Sequence, residues 1–431
     1  MPEYFQICGK KPLSGEIEVR GYKNAATAVI AATLLTDQPC YIKNIPKIED
    51  IFRMLEIVKA MGGKVEWEGE REVKIEARNI DPSKIREDLV TKLRSSILLL
   101  GPLLSRFGKV KLPQPGGCLI GARPIDSHLE GIVQMGAKIE REEGESSRYI
   151  FSGNLQPGEV VLPEFSVTAT ENILMAASLL EGKTTIKIAA FEPQVKDLCR
   201  CLVKMGAKIK WFPEHIIEIE GKKKLNGFSH SLAYDHLEAG TFLILAVATR
   251  GKIRINNTPV ESLTAVLNKL KSFGADFEYH FKTPEIADVV VHSPKTFLPV
   301  KKIQVLPYPG IPTDLQCAFG VLATQNPGET LIHDPMYEER LKYLKDLNRM
   351  GAKISQLDPH RAIVNGPSEL HGTTIENYDL RSGAALIIAG LIAQGETSIS
   401  NIYQVDRGYE NIEERLQKIG ADIKRVKSEK G

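Results

Sequence analysis

The residues best suited to chemistry lie on one loop and at a set of helix mouths. The loop reads Leu112-Pro113-Gln114-Pro115-Gly116-Gly117-Cys118-Leu119-Ile120-Gly121-Ala122-Arg123-Pro124. Its prolines and glycines interrupt any regular element. A thiol on such a loop, five residues from Arg123, is a candidate for tuning by positive charge, because a nearby cation favours the thiolate. An incidental loop cysteine has the same spelling, so these residues alone leave both readings open.

The other charges stand where small-residue or apolar runs begin. Lys23-Asn24 precedes Ala25-Ala26, and Arg94 leads into Ser95-Ser96-Ile97-Leu98. Asp314 follows Pro312-Thr313, Asp379-Leu380-Arg381 precedes Ser382-Gly383-Ala384, and Asp406-Arg407 precedes Gly408-Tyr409-Glu410. A helix start carries unbonded amides and partial positive charge, so it favours anions. Lysines and arginines added at several such mouths would make a receptor for a multiply charged anion. Any one of these charges, taken alone, also fits a helix cap or a surface ion pair.

The elements that must hold these residues come from a repeat. A helix end followed by a strand start recurs as Met61-Gly62-Gly63, Met135-Gly136-Ala137, Met205-Gly206-Ala207, Phe273-Gly274-Ala275, Met350-Gly351-Ala352 and Ile419-Gly420-Ala421. The steps between the first glycines are 74, 70, 68, 77 and 69 residues. This is too long for a solenoid unit of ~20–50 residues and suits a small α/β unit. Each first glycine is expected to take a left-handed conformation that ends its helix. Nearly uncharged runs such as Ala176-Ala177-Ser178-Leu179-Leu180 and Ala389-Gly390-Leu391-Ile392 predict helices buried on all sides. Six units predict two domains of three. The link between the halves is expected near Asn226-Gly227-Phe228-Ser229-His230-Ser231.

Composition sets further bounds. A chain of 431 residues, 42% hydrophobic, can bury a large core. Its 56 basic and 54 acidic residues nearly cancel, which gives no electrostatic case for nucleic-acid binding. No apolar run approaches the ~18 residues of a membrane span, and the first residues do not read as a signal peptide. The six cysteines, at 8, 40, 118, 199, 201 and 317, show no zinc-type pairing. They predict reduced thiols in a cytoplasmic protein.

In this arrangement the chain resembles the UDP-N-acetylglucosamine enolpyruvyl (1-carboxyvinyl) transferases. The matching stretches are Gly21-Tyr22-Lys23-Asn24-Ala25, Leu93-Arg94-Ser95-Ser96 and Pro115-Gly116-Gly117-Cys118 through Ala122-Arg123-Pro124. They continue with Thr170-Glu171-Asn172, Glu238-Ala239-Gly240-Thr241, Pro312-Thr313-Asp314-Leu315-Gln316, Asp379-Leu380-Arg381 and Asp406-Arg407-Gly408-Tyr409-Glu410. The resemblance implies an α/β fold of two inside-out α/β barrels, three repeated units per domain. Residues 21–232 would form one domain, carrying the Cys118 flap. Residues 1–20 and 233–431 would form the other, with the active site in the cleft between them.

The same resemblance implies transfer of the enolpyruvyl group of phosphoenolpyruvate to the 3-hydroxyl of UDP-N-acetylglucosamine, with loss of phosphate, at the first committed step of peptidoglycan precursor synthesis. Lys23, Arg123, Arg381 and Arg407 would clamp the phosphate and carboxylate, with Arg94 near the phosphates. Cys118 would deliver a proton and Asp314 would receive or hold the sugar hydroxyl proton. Asn24, Ser166, Val167, Thr168 and Leu331 would face the sugar nucleotide, and Asp379 would belong to the substrate-binding set. No metal or organic cofactor is implied, and the oligomeric state is left open.

Three stretches depart from the family pattern. Thr168 stands where the family has glycine in Ser-Val-Gly-Ala-Thr, and Phe191 stands where it has arginine in Arg-Glu-Pro. His333-Asp334-Pro335-Met336, followed by Tyr337-Glu338-Glu339-Arg340-Leu341, stands for its Glu-Asn-Arg-Phe. These departures keep two alternatives open: a divergent transferase acting on another sugar nucleotide, and a non-catalytic paralogue that binds one.

Overall fold

All six repeat glycines adopt left-handed backbone, with φ between +96° and +111° at Gly62, Gly136, Gly206, Gly274, Gly351 and Gly420. A side chain at such a position would be strained, which explains why this residue recurs. A strand leaves each of them: Lys64–Gly69, Lys138–Glu142, Lys208–Phe212, Asp276–Phe281, Lys353–Asp358 and Asp422–Lys427. The structure is a computed structural model that describes residues 3–116, 121, 124–142 and 148–427.

The chain forms two compact units. An inserted unit comprises residues 21–116 and 124–233; a terminal unit comprises residues 3–20, 121 and 234–427. The inserted unit holds α1 (Lys23–Ala32), α2 (Leu100–Phe107, entered through a 3-10 turn at Arg94–Leu99) and α3 (Val167–Ser178). The terminal unit holds α4 (His236–Thr249), α5 (Thr313–Ala323) and α6 (Leu380–Ile392). These are the small-residue runs of the sequence. Helix α4 is buried from His236 to Ala248, because no polar stripe exists to face water.

In the terminal unit α4, α5 and α6 pack against one another, and three four-stranded sheets belong to the same unit. A repeat is clearest around α5. Strand Lys302–Gln304 runs parallel to Gly328–His333, with α5 as the crossover, and Arg361–Gly366 and Lys353–Asp358 extend the sheet antiparallel. The remaining sheets borrow strands. Glu3–Cys8 lies between Glu396–Ser400 and Asp422–Lys427, and Ser14–Glu18 pairs parallel to Lys252–Pro259.

The inserted unit is built alike, with one three-stranded sheet among its described residues. Its first sheet is completed by Ser229–Ser231, parallel to Cys40–Lys43. The inserted unit gives way to the terminal unit between Ala233 and Tyr234, just past the stretch Asn226–Ser231. Part of that Gly/Ser stretch, Ser229–Ser231, is paired strand rather than open connector. His230 is buried beside Asp197, with Nε2 and Oδ1 at 3.1 Å. Among the described residues no helix is long and apolar enough to cross a membrane.

Candidate active site

In the terminal unit the sequence starts three buried helices with acidic residues. Asp235 caps α4, accepting from the amides of Leu237 and Glu238 at 2.8 and 3.0 Å. Asp379 caps α6, accepting from Arg381 N and Ser382 N at 3.2 and 2.9 Å. Asp314 lies in the first turn of α5. Such caps satisfy orphan amides and oppose the helix dipole.

Two buried arginines join these starts. Arg381 donates Nε to Asp314 Oδ2 at 3.0 Å, and Arg340 Nη2 bonds Asp314 Oδ1. Arg340 also reaches Asp379 Oδ2 at 3.3 Å and Thr313 Oγ1 at 3.2 Å. Each oxygen of Asp314 therefore has its own guanidinium. Burial alone would make these arginines easier to deprotonate. The carboxylates of Asp379 and Asp314 reverse that at Arg340, and Tyr409 with Asp314 and Asp235 reverse it at Arg381, so both stay above their ordinary values. Tyr409 closes the network: Arg381 Nη1 donates to its hydroxyl at 3.2 Å, and that hydroxyl lies 2.8 Å from Thr241 Oγ1. Burial, helped by the nearby Arg381 charge, depresses the His236 imidazole to about 3, so it is neutral at physiological pH.

Arg407 is buried two residues before Tyr409 and donates Nη1 to Gln404 Oε1 at 3.0 Å. Leu331 is not drawn into this network; it lies half-buried within its strand, opposite Lys302 and Ile363. The segment that does reach the network comes just after. Asp334 Oδ2 accepts from Thr313 Oγ1 at 2.6 Å, and its Oδ1 holds Met336 N at 3.0 Å.

Arg340 was not among the sequence candidates. The signal was present: Glu338-Glu339-Arg340-Leu341 keeps the Glu-X-Arg-apolar order of the family's Glu-Asn-Arg-Phe, a few residues beyond His333–Met336.

The inserted unit arranges its helix mouths differently. Lys23 opens α1 and pairs with buried Asp50 at 2.9 Å. Asn24 Nδ2 lies 3.4 Å from the Tyr22 hydroxyl, which donates to Gln194 Oε1 at 3.0 Å. Arg94 donates Nη2 to the Pro124 carbonyl at 3.0 Å. Ser166 caps α3 through Oγ, 3.4 Å from Ala169 N, with Val167 and Thr168 in the first turn. His128 links these parts, touching Thr168 Oγ1 at 3.0 Å and Asn172 at 2.9 Å. Burial, with the Arg94 charge second, holds its imidazole down at about 3. Cys118 and Arg123 lie outside the described residues. Among the described residues no group of three His, Cys, Asp or Glu side chains is arranged to hold a metal ion.

A family model described as EPSP synthase (3-phosphoshikimate 1-carboxyvinyltransferase) matches residues 7–416. A UDP-N-acetylglucosamine 1-carboxyvinyltransferase of Treponema denticola is 43% identical over 425 residues, 98% of this chain and 99% of the relative. One of Coxiella burnetii is 39% identical over 431 residues, covering 98% and 96%. Among solved structures, the enolpyruvyl transferase NikO from Streptomyces tendae superposes with a TM-score of 0.87 at 24% identity, over 99% of both chains. EPSP synthase from Acinetobacter baumannii gives 0.74 at 20% identity, over 99% of this chain and 100% of that one. These two speak to the fold.

Proposed function

The chain belongs to the EPSP synthase (3-phosphoshikimate 1-carboxyvinyltransferase) family, and from that premise we propose that it transfers the enolpyruvyl group of phosphoenolpyruvate to the 3-hydroxyl of UDP-N-acetylglucosamine, releasing phosphate. The observation that carries this choice of acceptor is 43% identity, over 98% of the chain, to a relative named for that reaction.

The chemistry needs a proton added to the methylene carbon and one removed from the sugar hydroxyl. The hydroxyl oxygen bonds to the central carbon, giving a tetrahedral intermediate. Loss of a methyl proton and cleavage of the carbon–oxygen bond to phosphate restore the vinyl group. Cys118 is assigned the proton delivery and Asp314 the sugar hydroxyl. Asp314 suits that role because its two guanidinium partners fix the carboxylate in place. Lys23, Arg123, Arg381 and Arg407 are assigned to the phosphate and carboxylate, where guanidinium forks give bidentate contacts. Arg94 is assigned to phosphate. Asn24, Ser166, Val167 and Thr168 are assigned to the sugar nucleotide. Asp379 acts through Arg340 and its own helix cap. The reaction is placed in the cytoplasm, where it opens peptidoglycan precursor synthesis.

The test is phosphate release from phosphoenolpyruvate with UDP-N-acetylglucosamine, alongside other UDP-sugars. Release requiring both substrates is expected. Release with a different sugar nucleotide alone would change the acceptor, and no release with any would leave a binding protein.

A further inference from the structure

The hydrogen-bond polarity around Thr168 can be followed from backbone atoms outward. Gly101 N donates to Asn172 Oδ1 at 2.8 Å, and Asn172 Nδ2 donates to the Ile97 carbonyl at 2.9 Å. A backbone N–H can only donate and a carbonyl can only accept, so these two contacts fix which way the Asn172 amide points. The second hydrogen on Nδ2 then goes to His128 Nδ1, at 2.9 Å. Nδ1 is therefore an acceptor, and the neutral imidazole carries its proton on Nε2. That proton is donated to Thr168 Oγ1, at 3.0 Å. The threonine hydroxyl, having accepted, is left with its own hydrogen to give. Both Asn172 and His128 are buried, whereas Thr168 is half-exposed on the first turn of α3. The amides of that turn have no acceptors within the helix.

We propose that Thr168 is a specificity-determining residue whose hydroxyl donates to a phosphate oxygen of the sugar nucleotide, and that His128 is the positioning residue that aims it. This rests on the reading that the chain binds UDP-N-acetylglucosamine. It gives the departure from the family glycine a chemical meaning. Where glycine offers only backbone amides, this chain adds a donor whose direction is set from behind by two buried side chains. An acceptor group is favoured there, and a ligand presenting a donor at that point is disfavoured.

The experiment compares wild type with Thr168→Val, His128→Gln and His128→Leu. Calorimetry with UDP and with UDP-N-acetylglucosamine is read beside the KM of each substrate. Loss of a hydrogen bond to a charged group predicts a roughly tenfold to hundredfold weaker Kd for both ligands in Thr168→Val. The KM for phosphoenolpyruvate is expected to move little. His128→Gln keeps an acceptor toward Asn172 and a donor toward Thr168, so it should bind like wild type. His128→Leu should lose as much as Thr168→Val, and the double variant should lose no more than either single one. A purely structural role for His128 would instead lower the melting temperature and add to the Thr168 effect. If wild type binds both ligands and Thr168→Val binds them equally well, the inference is overturned while the function stands. If Thr168→Val weakens the sugar nucleotide but not UDP, the phosphate assignment is overturned. If wild type binds neither ligand, the underlying reading falls, and this inference with it.

Discussion

The two units build their buried helix mouths with opposite electrostatics. In the terminal unit, buried charge is met by buried countercharge: Asp314 and Asp379 by Arg340 and Arg381, and Glu238 by Arg415 at 2.6 Å. In the inserted unit, the interior behind α3 is neutral. It uses an amide, an uncharged imidazole and a hydroxyl, while buried acids elsewhere in the unit are Asp50, paired with Lys23, and Asp197, beside His230. Glu171 makes the contrast sharp. The residue is 1% exposed, Oε1 has no hydrogen-bond partner among the described residues, and burial, with the nearby Glu192 second, lifts its carboxyl well above the ordinary value. The same residue type thus meets opposite surroundings: Glu238 has a guanidinium partner, while the Glu171 carboxyl is driven toward its neutral form. A charged network holds its groups rigidly but fails if one partner is removed, because the remaining charge is stranded. A neutral network tolerates low dielectric, and instead of charge it specifies the direction of each proton.

The comparison breaks most visibly at Asp314. Asp314→Asn is expected to lower kcat by ~10²–10⁴-fold, the usual loss for a general acid or base. It should also lower the melting temperature, because Arg340 and Arg381 are 3% and 4% exposed and would lose a countercharge. Phosphate release and a thermal melt read the two effects separately. A variant with wild-type turnover would remove Asp314 from the chemistry and leave it a purely structural ion-pair partner.

Thiol reactivity sharpens the picture of dry interiors. Burial pushes the Cys40 thiol up to about 12, and it pushes Cys199, Cys201 and Cys317 up as well. A thiol near 12 has ~10³-fold less thiolate at neutral pH than an ordinary one. A phosphonate epoxide that mimics phosphoenolpyruvate is therefore expected to label Cys118 alone, with half-buried Cys8 as the internal comparator. Peptide mapping after a timed exposure decides this. Equal labelling at Cys8 would mean that access, rather than a tuned site, governs the reaction.

Much of this was legible in the residues, and the reason differs by feature. The repeat could be read because a left-handed helix end restricts its residue to glycine, so Gly62 through Gly420 mark every unit. The buried helices could be read because absence of charge over a dozen positions has one packing solution. The network partner Arg340 was harder to see. Its function depends on meeting Asp314 and Asp379, 26 and 39 residues away, and local spelling carries no record of that meeting. The strand at Ser229–Ser231 was hidden for a related reason, since its partner at Cys40–Lys43 is remote in sequence. The aim of the Thr168 hydroxyl was beyond reach for the same cause, because it is set by Gly101 and Ile97 acting through Asn172 and His128.

The most direct test of the contrast uses the same acid-to-amide change in the neutral interior. Glu171 has a raised folded-state pKa. Below its ordinary value near 4.5, the carboxyl is protonated in both folded and unfolded chains and costs nothing extra. As pH rises past that value the unfolded chain releases the proton while the folded chain keeps it, so stability falls, by up to ~1.4 kcal/mol per pH unit, until the folded group titrates. Glu171→Gln cannot lose a proton at this position. It should therefore flatten the fall in stability above about pH 5 and exceed wild type by a margin that grows with pH, opposite in sign to Asp314→Asn. Denaturant midpoints at pH 5, 6.5 and 8 measure the slope. Parallel wild-type and variant slopes would mean that Glu171 is ionised in the fold, and the two interiors would then share one electrostatic rule.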